Sequence, residues 1–463
     1  MALTGSQDVE RSRVRMSVAA LLARARLWLA DGSDRSLAQR TAGAAFLIRV
    51  GSAGLLYLSQ VVLARWMGSF EFGVYVYVWT WVLLIGTLAD FGLAVAAQRF
   101  IPEYAERKAF DLLRGFLAGS RWLVIAMATA LAVLGALGIT MIEPWLDHYL
   151  VVPLYLACLS LPFYTLTSML DGIARSYNWV NLALVPPYIG RPLVLMLVMG
   201  AAYGLGLPAN ASTAMIAAVV ATWFNAIIQL VMLDWRLTAK VARGRKAYEV
   251  ATWFKTAIPI FMVGSFYLLL TYADILVLQQ FRPPDEVAVY YAAAKTLALV
   301  AFVNFSVAAA AAHKFSEYHV AGDRERLAAF LADAIRWTFW PSLAATVLIL
   351  ALGRPFLWLF GPNFVDGYLL MFILAVGLLS RAAVGPVERL LNMLGEQRAC
   401  ATVYAIAFTT NLGLCVLLIP RFGALGAAIA TSSAVLTEST LLFFVTRHRL
   451  GLHVLVWGRP PIR

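Results

Sequence analysis

Apolar residues in this chain fall in continuous blocks about 20 residues long, separated by short polar turns, and do not alternate with polar ones. A block of that length crosses a hydrocarbon core as an α-helix. Backbone groups in lipid must find their hydrogen bonds internally, and a continuous rather than period-two pattern selects helices over barrel strands. Twelve spans are predicted. The first six are 43–64, 73–97, 116–138, 149–170, 179–201 and 212–233; the second six are 252–279, 286–311, 331–352, 365–383, 397–419 and 423–446. One strongly charged stretch, DWRLTAKVARGRKAYEV at 234–250, divides them.

The second six spans repeat part of the first. A shift of 215 residues places Val74-Tyr75 on Val289-Tyr290, Arg99-Phe100 on Lys314-Phe315 and Arg121-Trp122 on Arg336-Trp337. It also places Ala94, Ala96 and Ala97 on Ala309, Ala311 and Ala312, and a one-residue slip brings Glu103-Tyr104 onto Glu317-Tyr318. Alanine matches carry little weight in a chain this rich in alanine; the charged and aromatic ones carry more. An internal duplication in a membrane protein points first to a transporter.

Composition agrees with the pattern: 62% of residues are hydrophobic, 13% are charged, and mean hydropathy is +0.78, outside the range of an ordinary soluble domain. A net charge of +12 would suggest nucleic acid in a soluble protein, but its distribution argues otherwise. With the N-terminus placed in the cytoplasm, 28 of the 37 Lys and Arg fall on cytoplasmic segments and four, Arg65, Arg282, Arg354 and Arg421, fall outside. That asymmetry predicts both termini inside and no nucleic-acid partner. The expected organisation is a basic, partly amphipathic N-terminal segment at 1–41, a six-helix bundle at 42–233, a cytoplasmic linker at 234–250, a second six-helix bundle at 251–446 and a basic tail at 447–463. No apolar core with a cleavage site follows Arg11, Arg13 and Arg15, so no cleaved signal peptide is expected. The Trp residues near span ends, including Trp66, Trp145, Trp179, Trp253 and Trp358, are expected to form interfacial belts.

Five cations remain within the spans: Arg49, Arg121, Arg191, Lys295 and Arg336. A cation at the helix centre costs about 2.5–3.5 kcal/mol on insertion scales, so it needs a partner or a wet cavity. Arg121 and Arg336 lie about one turn from the cytoplasmic face and can extend to it. Arg191 and Lys295 lie near mid-depth and are expected to face a cavity, with a structural ion pair as the alternative. Pro186, Pro187 and Pro192 flank Arg191 and predict a break in its helix. The membrane acids Asp90, Asp274 and Glu438 are candidates for ion coupling or for pairing with a cation. Cys158, Cys400 and Cys415 lack metal-ligand spacing, no His/Cys/carboxylate cluster suggests a metal, and no phosphate-binding GxxxxGK[ST] occurs. No cofactor is expected.

Residues 62–104, VLARWMGSFEFGVYVYVWTWVLLIGTLADFGLAVAAQRFIPEY, resemble the opening of the polysaccharide-biosynthesis, O-antigen flippase-like family. Its superfamily includes the lipid II flippases and the multidrug and toxin extrusion antiporters. DILVLQQF followed by VYYAAAKTLA resembles the start of that family's second half, and NMLGEQR followed by IPRFGALGAAIATS resembles its closing spans. The resemblance implies two six-helix bundles around a cavity that opens alternately to each side. It implies a flippase, not an enzyme, that carries a polyprenyl-pyrophosphate-linked oligosaccharide to the outer leaflet of a bacterial inner membrane. The implied pathway is O-antigen or exopolysaccharide synthesis, with a polysaccharide polymerase complex as a partner besides the membrane lipids. It implies that cavity cations hold the pyrophosphate, a task that suits Arg191 and Lys295 chemically and, by position, Arg49. The alternatives are a multidrug antiporter of the same superfamily, a membrane-embedded polymerase or ligase, and a structural partner of a glycan-synthesis complex. Short outward loops argue against the polymerase.

Overall fold

The computed structural model describes residues 34–456; the amphipathic stretch expected within 1–41 lies largely outside them. Among the described residues there is no strand, and the protein is an all-α polytopic membrane protein. Two compact units arise, residues 1–49 and residues 50–463. The helices are α1 (Asp34–Leu88), α2 (Leu93–Glu106), α3 (Phe110–Ile142), α4 (His148–Ser176), α5 (Val180–Val185), α6 (Arg191–Gly204), α7 (Ala211–Lys240) and α8 (Val250–Phe281). They continue as α9 (Pro284–Ala298), α10 (Ala301–Val320), α11 (Arg324–Ala351), α12 (Gly353–Phe360), α13 (Tyr368–Val384), α14 (Val387–Met393), α15 (Gln397–Phe422) and α16 (Ala424–Leu450). Among the described residues, nine helical segments are long and apolar enough to cross a membrane, or eleven when each of two bent pairs counts as one span.

Most helices overrun the predicted spans because their ends continue past the apolar block. Residues 234–240 of the charged central stretch extend α7, and α12 and α14 are short helices where connections were expected. The helices break where their sequences require it. Gly68 adopts φ 77° within α1, conformational space that side chains other than glycine enter at a cost. Between α1 and α2, Phe91 (φ 48°) and Gly92 (φ 80°) turn the chain, and Asp90 accepts the Gly92 amide at 2.7 Å. The second half breaks likewise: α9 and α10 form a pair bent by 42°, and α8 bends by 43° between segments Val250–Met262 and Gly264–Phe281.

The duplication is visible in how helix ends are satisfied. Glu71 accepts the backbone amide of Ala211 at the start of α7, at 2.7 Å. Glu286, which stands 215 residues later, accepts the amide of Ala424 at the start of α16, at 2.6 Å. Each carboxylate meets unpaired amides and the positive end of a helix dipole. Two of the four arginines that break the charge asymmetry serve the opposite pole. Arg65 donates to the carbonyls of Leu359 (2.7 Å) and Trp358 (2.6 Å) at the end of α12. Arg282 donates to those of Ile419 (3.4 Å) and Pro420 (3.2 Å) near the end of α15. The aligned basic residues also keep their function: Arg99 pairs with Glu103 and Lys314 with Glu317, at spacings of four and three residues, which accounts for the slip in the repeat.

A core at the end of the molecule carrying Gly68 joins the two halves: Phe72, Tyr75 and Met199 pack with Tyr290, Phe360 and Phe364. The backbones approach closely there, and a Cβ on Gly73 would fall on the Pro284 carbonyl. Gly73→Ala is therefore expected to force the halves apart at this seam and to lower the unfolding temperature in detergent by several degrees, as overpacking of about 1–3 kcal/mol predicts. An unchanged melting curve would show that the seam relaxes freely.

At the opposite end the linker is held and not slack. Arg114 of α3 donates to the carbonyls of Ala242 (2.8 Å) and Arg245 (3.0 Å), and the Ala247 amide donates to the Asp111 carbonyl at 2.9 Å. The first segment of α8 then packs on the first half: Phe91 meets Phe254 and Phe261, and the Gly92 position lies against the Ala257 carbonyl. Trp253 is fully buried there, its ring edge-on to Phe116 at 5.1 Å and its indole donating to the Tyr104 hydroxyl at 3.2 Å. It does not belong to an interfacial belt, because the held linker covers it; Trp145, at 84% exposure, is free to. The second segment of α8 packs with the second half, where Asn411 donates to the Leu270 carbonyl at 3.2 Å.

Candidate functional site

The candidate site is built around two cations within the apolar spans, Arg191 and Lys295. Pro186 and Pro187 have no amide to give the preceding turn, and residues Pro186–Gly190 open into a π-turn ahead of α6. The Leu182 carbonyl, whose helical partner would be the missing Pro186 amide, is taken instead by the buried Gln229 side chain of α7 at 3.1 Å. The Gly190 position packs against Asn225, leaving no room for a side chain. This break places Arg191 at the start of α6 with its guanidinium carbon 5.3 Å from the Trp79 ring centre and 5.4 Å from that of Tyr164. Cation–π contact of this kind contributes about 0.5–2 kcal/mol and leaves the N–H fork available to an anion.

Lys295 lies on α9 and lines a cavity of about 490 Å³ formed by residues of the second half. Its ammonium stands 5.1 Å from the ring centre of Tyr291. Asp274 and Glu438 line the same cavity. Asp274 is buried and saturated: it accepts from the Tyr290 hydroxyl at 2.5 Å, the Thr431 hydroxyl at 3.0 Å and the Ile275 amide at 2.8 Å. Glu438, buried on α16, is ion-paired with Arg381 of α13. Among the described residues, neither Arg191 nor Lys295 forms an ion pair, whereas Arg121 pairs with Asp234 and Arg336 with Asp333.

Arg191 is absent from the lining of the Lys295 cavity. The two cations are connected by phenols: Tyr272 is within electrostatic reach of Arg191 and Tyr164, and Tyr291 of Tyr272 and Tyr75. Asp90 is not among the residues lining this cavity and caps the α1–α2 break. Arg49 closes the N-terminal unit, half-buried. Arg381, Tyr272, Tyr291 and Asn304 are not among the candidates the sequence offers; the tyrosines in LLTYADI and VYYAAAK, close in sequence to Asp274 and Lys295, were the available signal.

Above the site, the Gly68 end is shut. Ser69 donates to Asp285 across the two halves, Gln280 donates to Tyr77 at 3.1 Å, and Arg65 stacks over Trp358 at 4.5 Å while it holds the α12 carbonyls. In Arg65→Ala these contacts disappear from one side of the closure. We expect a cysteine at Ala294, on the cavity wall, to react about fivefold faster with a membrane-impermeant maleimide applied from that end, on the scale of one exposed hydrogen-bonded cation. Equal labelling rates in a background lacking the three native cysteines would remove Arg65 from the closure.

Long broken helices, a duplicated half and a charged interior cavity define a polytopic transporter-like fold, and the comparisons agree. The structure resembles an inward-facing multidrug resistance MATE family transporter of the MOP superfamily (TM-score 0.71, 14% identity, 87% of this chain and 94% of that one). It also resembles the lipid II flippase MurJ in an inward closed conformation (TM-score 0.69, 17% identity, 87% of each chain). The chain belongs to the polysaccharide biosynthesis protein family, which matches residues 40–319; the MatE family matches residues 259–417. A curated relative, the probable low-salt glycan biosynthesis flippase Agl15 of Haloferax volcanii, is 22% identical over 410 residues, covering 86% of this chain and 80% of its own.

Proposed function

We propose that the protein is a flippase that moves a polyprenyl-pyrophosphate-linked oligosaccharide from the cytoplasmic to the outer leaflet by alternating access, without acting as an enzyme. The observation that carries this reading is the pair of cations within the spans, Arg191 and Lys295, free of ion pairs among the described residues and each standing on aromatic rings. A pyrophosphate is the kind of group that a guanidinium fork and an ammonium hold in low dielectric. Family membership and the relatives' names, one a glycan flippase and one a lipid II flippase, support the same substrate class. Arg49 is a third candidate cation, and Asp274 and Glu438 are the candidate coupling groups; Asp90 has its capping role instead.

In this reading the 59-residue segment Ile48–Glu106 makes two passes that turn at Gly68. Arg65 and Ser69 meet residues 358–359 and Asp285, whereas Thr165 bonds the Gly86 carbonyl and Gly172 abuts Ala94 farther along. Two passes there, with each bent pair counted once, bring the total to twelve crossings in two six-helix bundles, with both termini inside and the Gly68 end outside. The membrane is a bacterial inner membrane, and the product feeds an O-antigen or exopolysaccharide polymerase complex. The alternative, a multidrug antiporter, draws support from the MatE match and from the two buried acids in the cavity. Deleting the gene in the host and following the lipid-linked precursor decides between them. Precursor trapped on the inner leaflet with drug sensitivity unchanged supports the flippase; normal precursor orientation with raised drug sensitivity overturns it in favour of the antiporter.

A further inference from the structure

We infer that the second-half cavity is a subsite for the first neutral sugars of the lipid-linked glycan, with Tyr272 and Tyr291 as its stacking and hydrogen-bonding wall. The inference rests on the flippase reading and adds to it which part of the cargo the cavity takes.

The charges that line the cavity are balanced. Asp274, Glu388 and Glu438 face Lys295, Arg381 and Arg389, and the two buried acids are already satisfied, Glu438 by Arg381 and Asp274 by hydroxyls and an amide. Lys295, which forms no ion pair among the described residues, is within electrostatic reach of Asp274; the lining carries no surplus charge and suits an uncharged guest.

That wall is phenolic. Tyr267, Tyr272 and Tyr291 all line the cavity; Tyr267 is 40% exposed and Tyr272 and Tyr291 are half-buried. No hydrogen bond occupies the hydroxyl of Tyr272 or Tyr291 among the described residues, in contrast to Tyr290 at the same level, which is committed to Asp274 and Thr431. A sugar ring presents an apolar C–H face and a rim of hydroxyls, and a tyrosine offers the complement of both.

Lys295 stands on the Tyr291 ring and shares the cavity with Tyr272, so a sugar bonded to an anion at Lys295 is within the same chamber as both rings. A volume of about 490 Å³ lies in the usual range for small-ligand pockets, about 300–1,000 Å³, and fits a diphosphate with one or two sugars rather than a long repeat.

The test uses the full-length protein in nanodiscs and two probes: farnesyl diphosphate, and farnesyl diphosphate bearing one N-acetylhexosamine. The wild type is expected to bind the glycosylated probe about tenfold more tightly than the bare one, the scale of one aromatic stacking contact with its hydrogen bond. Tyr272→Ala is expected to weaken the glycosylated probe far more than the bare one and so to bring the ratio close to one. Tyr272→Phe, which keeps the ring, retains part of the ratio, and a melting curve of Tyr272→Ala close to that of the wild type shows that the alanine variant is folded. Lys295→Ala weakens both probes together. Equal binding of the two probes by the wild type, or an unchanged ratio in Tyr272→Ala and Tyr291→Ala, overturns the sugar subsite and leaves the flippase reading standing. Binding of neither probe overturns the flippase reading and the subsite with it.

Discussion

Replacing Lys295 by alanine is expected to slow precursor flipping by about 10- to 100-fold with no loss of protein from the membrane. One charge-assisted hydrogen bond to a phosphate contributes about 1.5–3 kcal/mol, and 1.4 kcal/mol is a factor of ten. Among the described residues this ammonium has no ion pair; it stands on the Tyr291 face and within electrostatic reach of the buried Asp274. Lys295→Ala removes a desolvated cation but also that attraction, so the two effects offset and only a small change in stability is expected. Arg191→Ala is expected to cut flipping to a similar degree, with a small stability loss from the contacts to Trp79 and Tyr164. Lys295→Arg keeps the charge and should retain part of the activity, since a longer planar fork enters the same cavity. The readout is the leaflet distribution of the lipid-linked precursor in a strain whose own copy is deleted, beside the level of folded protein. Normal flipping in both alanine variants would remove the cations from the mechanism.

The largest stability effect is expected at the Arg381–Glu438 pair. Glu438 is 2% exposed and its partner is the Arg381 guanidinium on the neighbouring helix. Arg381→Leu leaves a carboxylate buried without compensation, which costs about 3–5 kcal/mol, enough to move the melting temperature in detergent by many degrees. Arg381→Leu combined with Glu438→Leu should recover most of that loss, because an apolar pair of similar volume is often as stable as the ion pair it replaces. If the double variant melts as low as the single one, the pair contributes through more than its mutual charge. If the single variant melts like the wild type, the carboxylate is not isolated from water.

Much of this architecture could be read in the chain. The all-helical, polytopic architecture follows from hydropathy alone, because lipid leaves the backbone no other choice. The break at Arg191 was legible from three prolines, since a missing amide is a local fact. What could not be read was long-range. The Gln229 side chain that takes up the freed Leu182 carbonyl sits 47 residues away. The burial of Trp253 depends on a linker held by Arg114, and the commitment of Asp274 depends on Thr431, 157 residues off. The duplication was found on Val, Tyr and basic residues, while its clearest physical expression, Glu71 and Glu286 on two helix starts, needed coordinates to show which amides they meet. The separation of Arg191 from the Lys295 cavity depends on packing that no spacing along the chain encodes.

The bent helix α8 carries a consequence for how the two halves work against each other. Its first thirteen residues are fastened to the first half through Phe254, Phe261 and Trp253, and the linker before it is clipped down. Its later residues travel with the second half through Leu270 and Asp274. Under the proposed alternating access, the covalent hinge between the halves falls near Met262–Gly264, within this helix, and not in the charged loop that divides the sequence. That bend lies about three helical turns from Asp274 in the cavity wall, so a movement at the hinge would reshape the cavity with it.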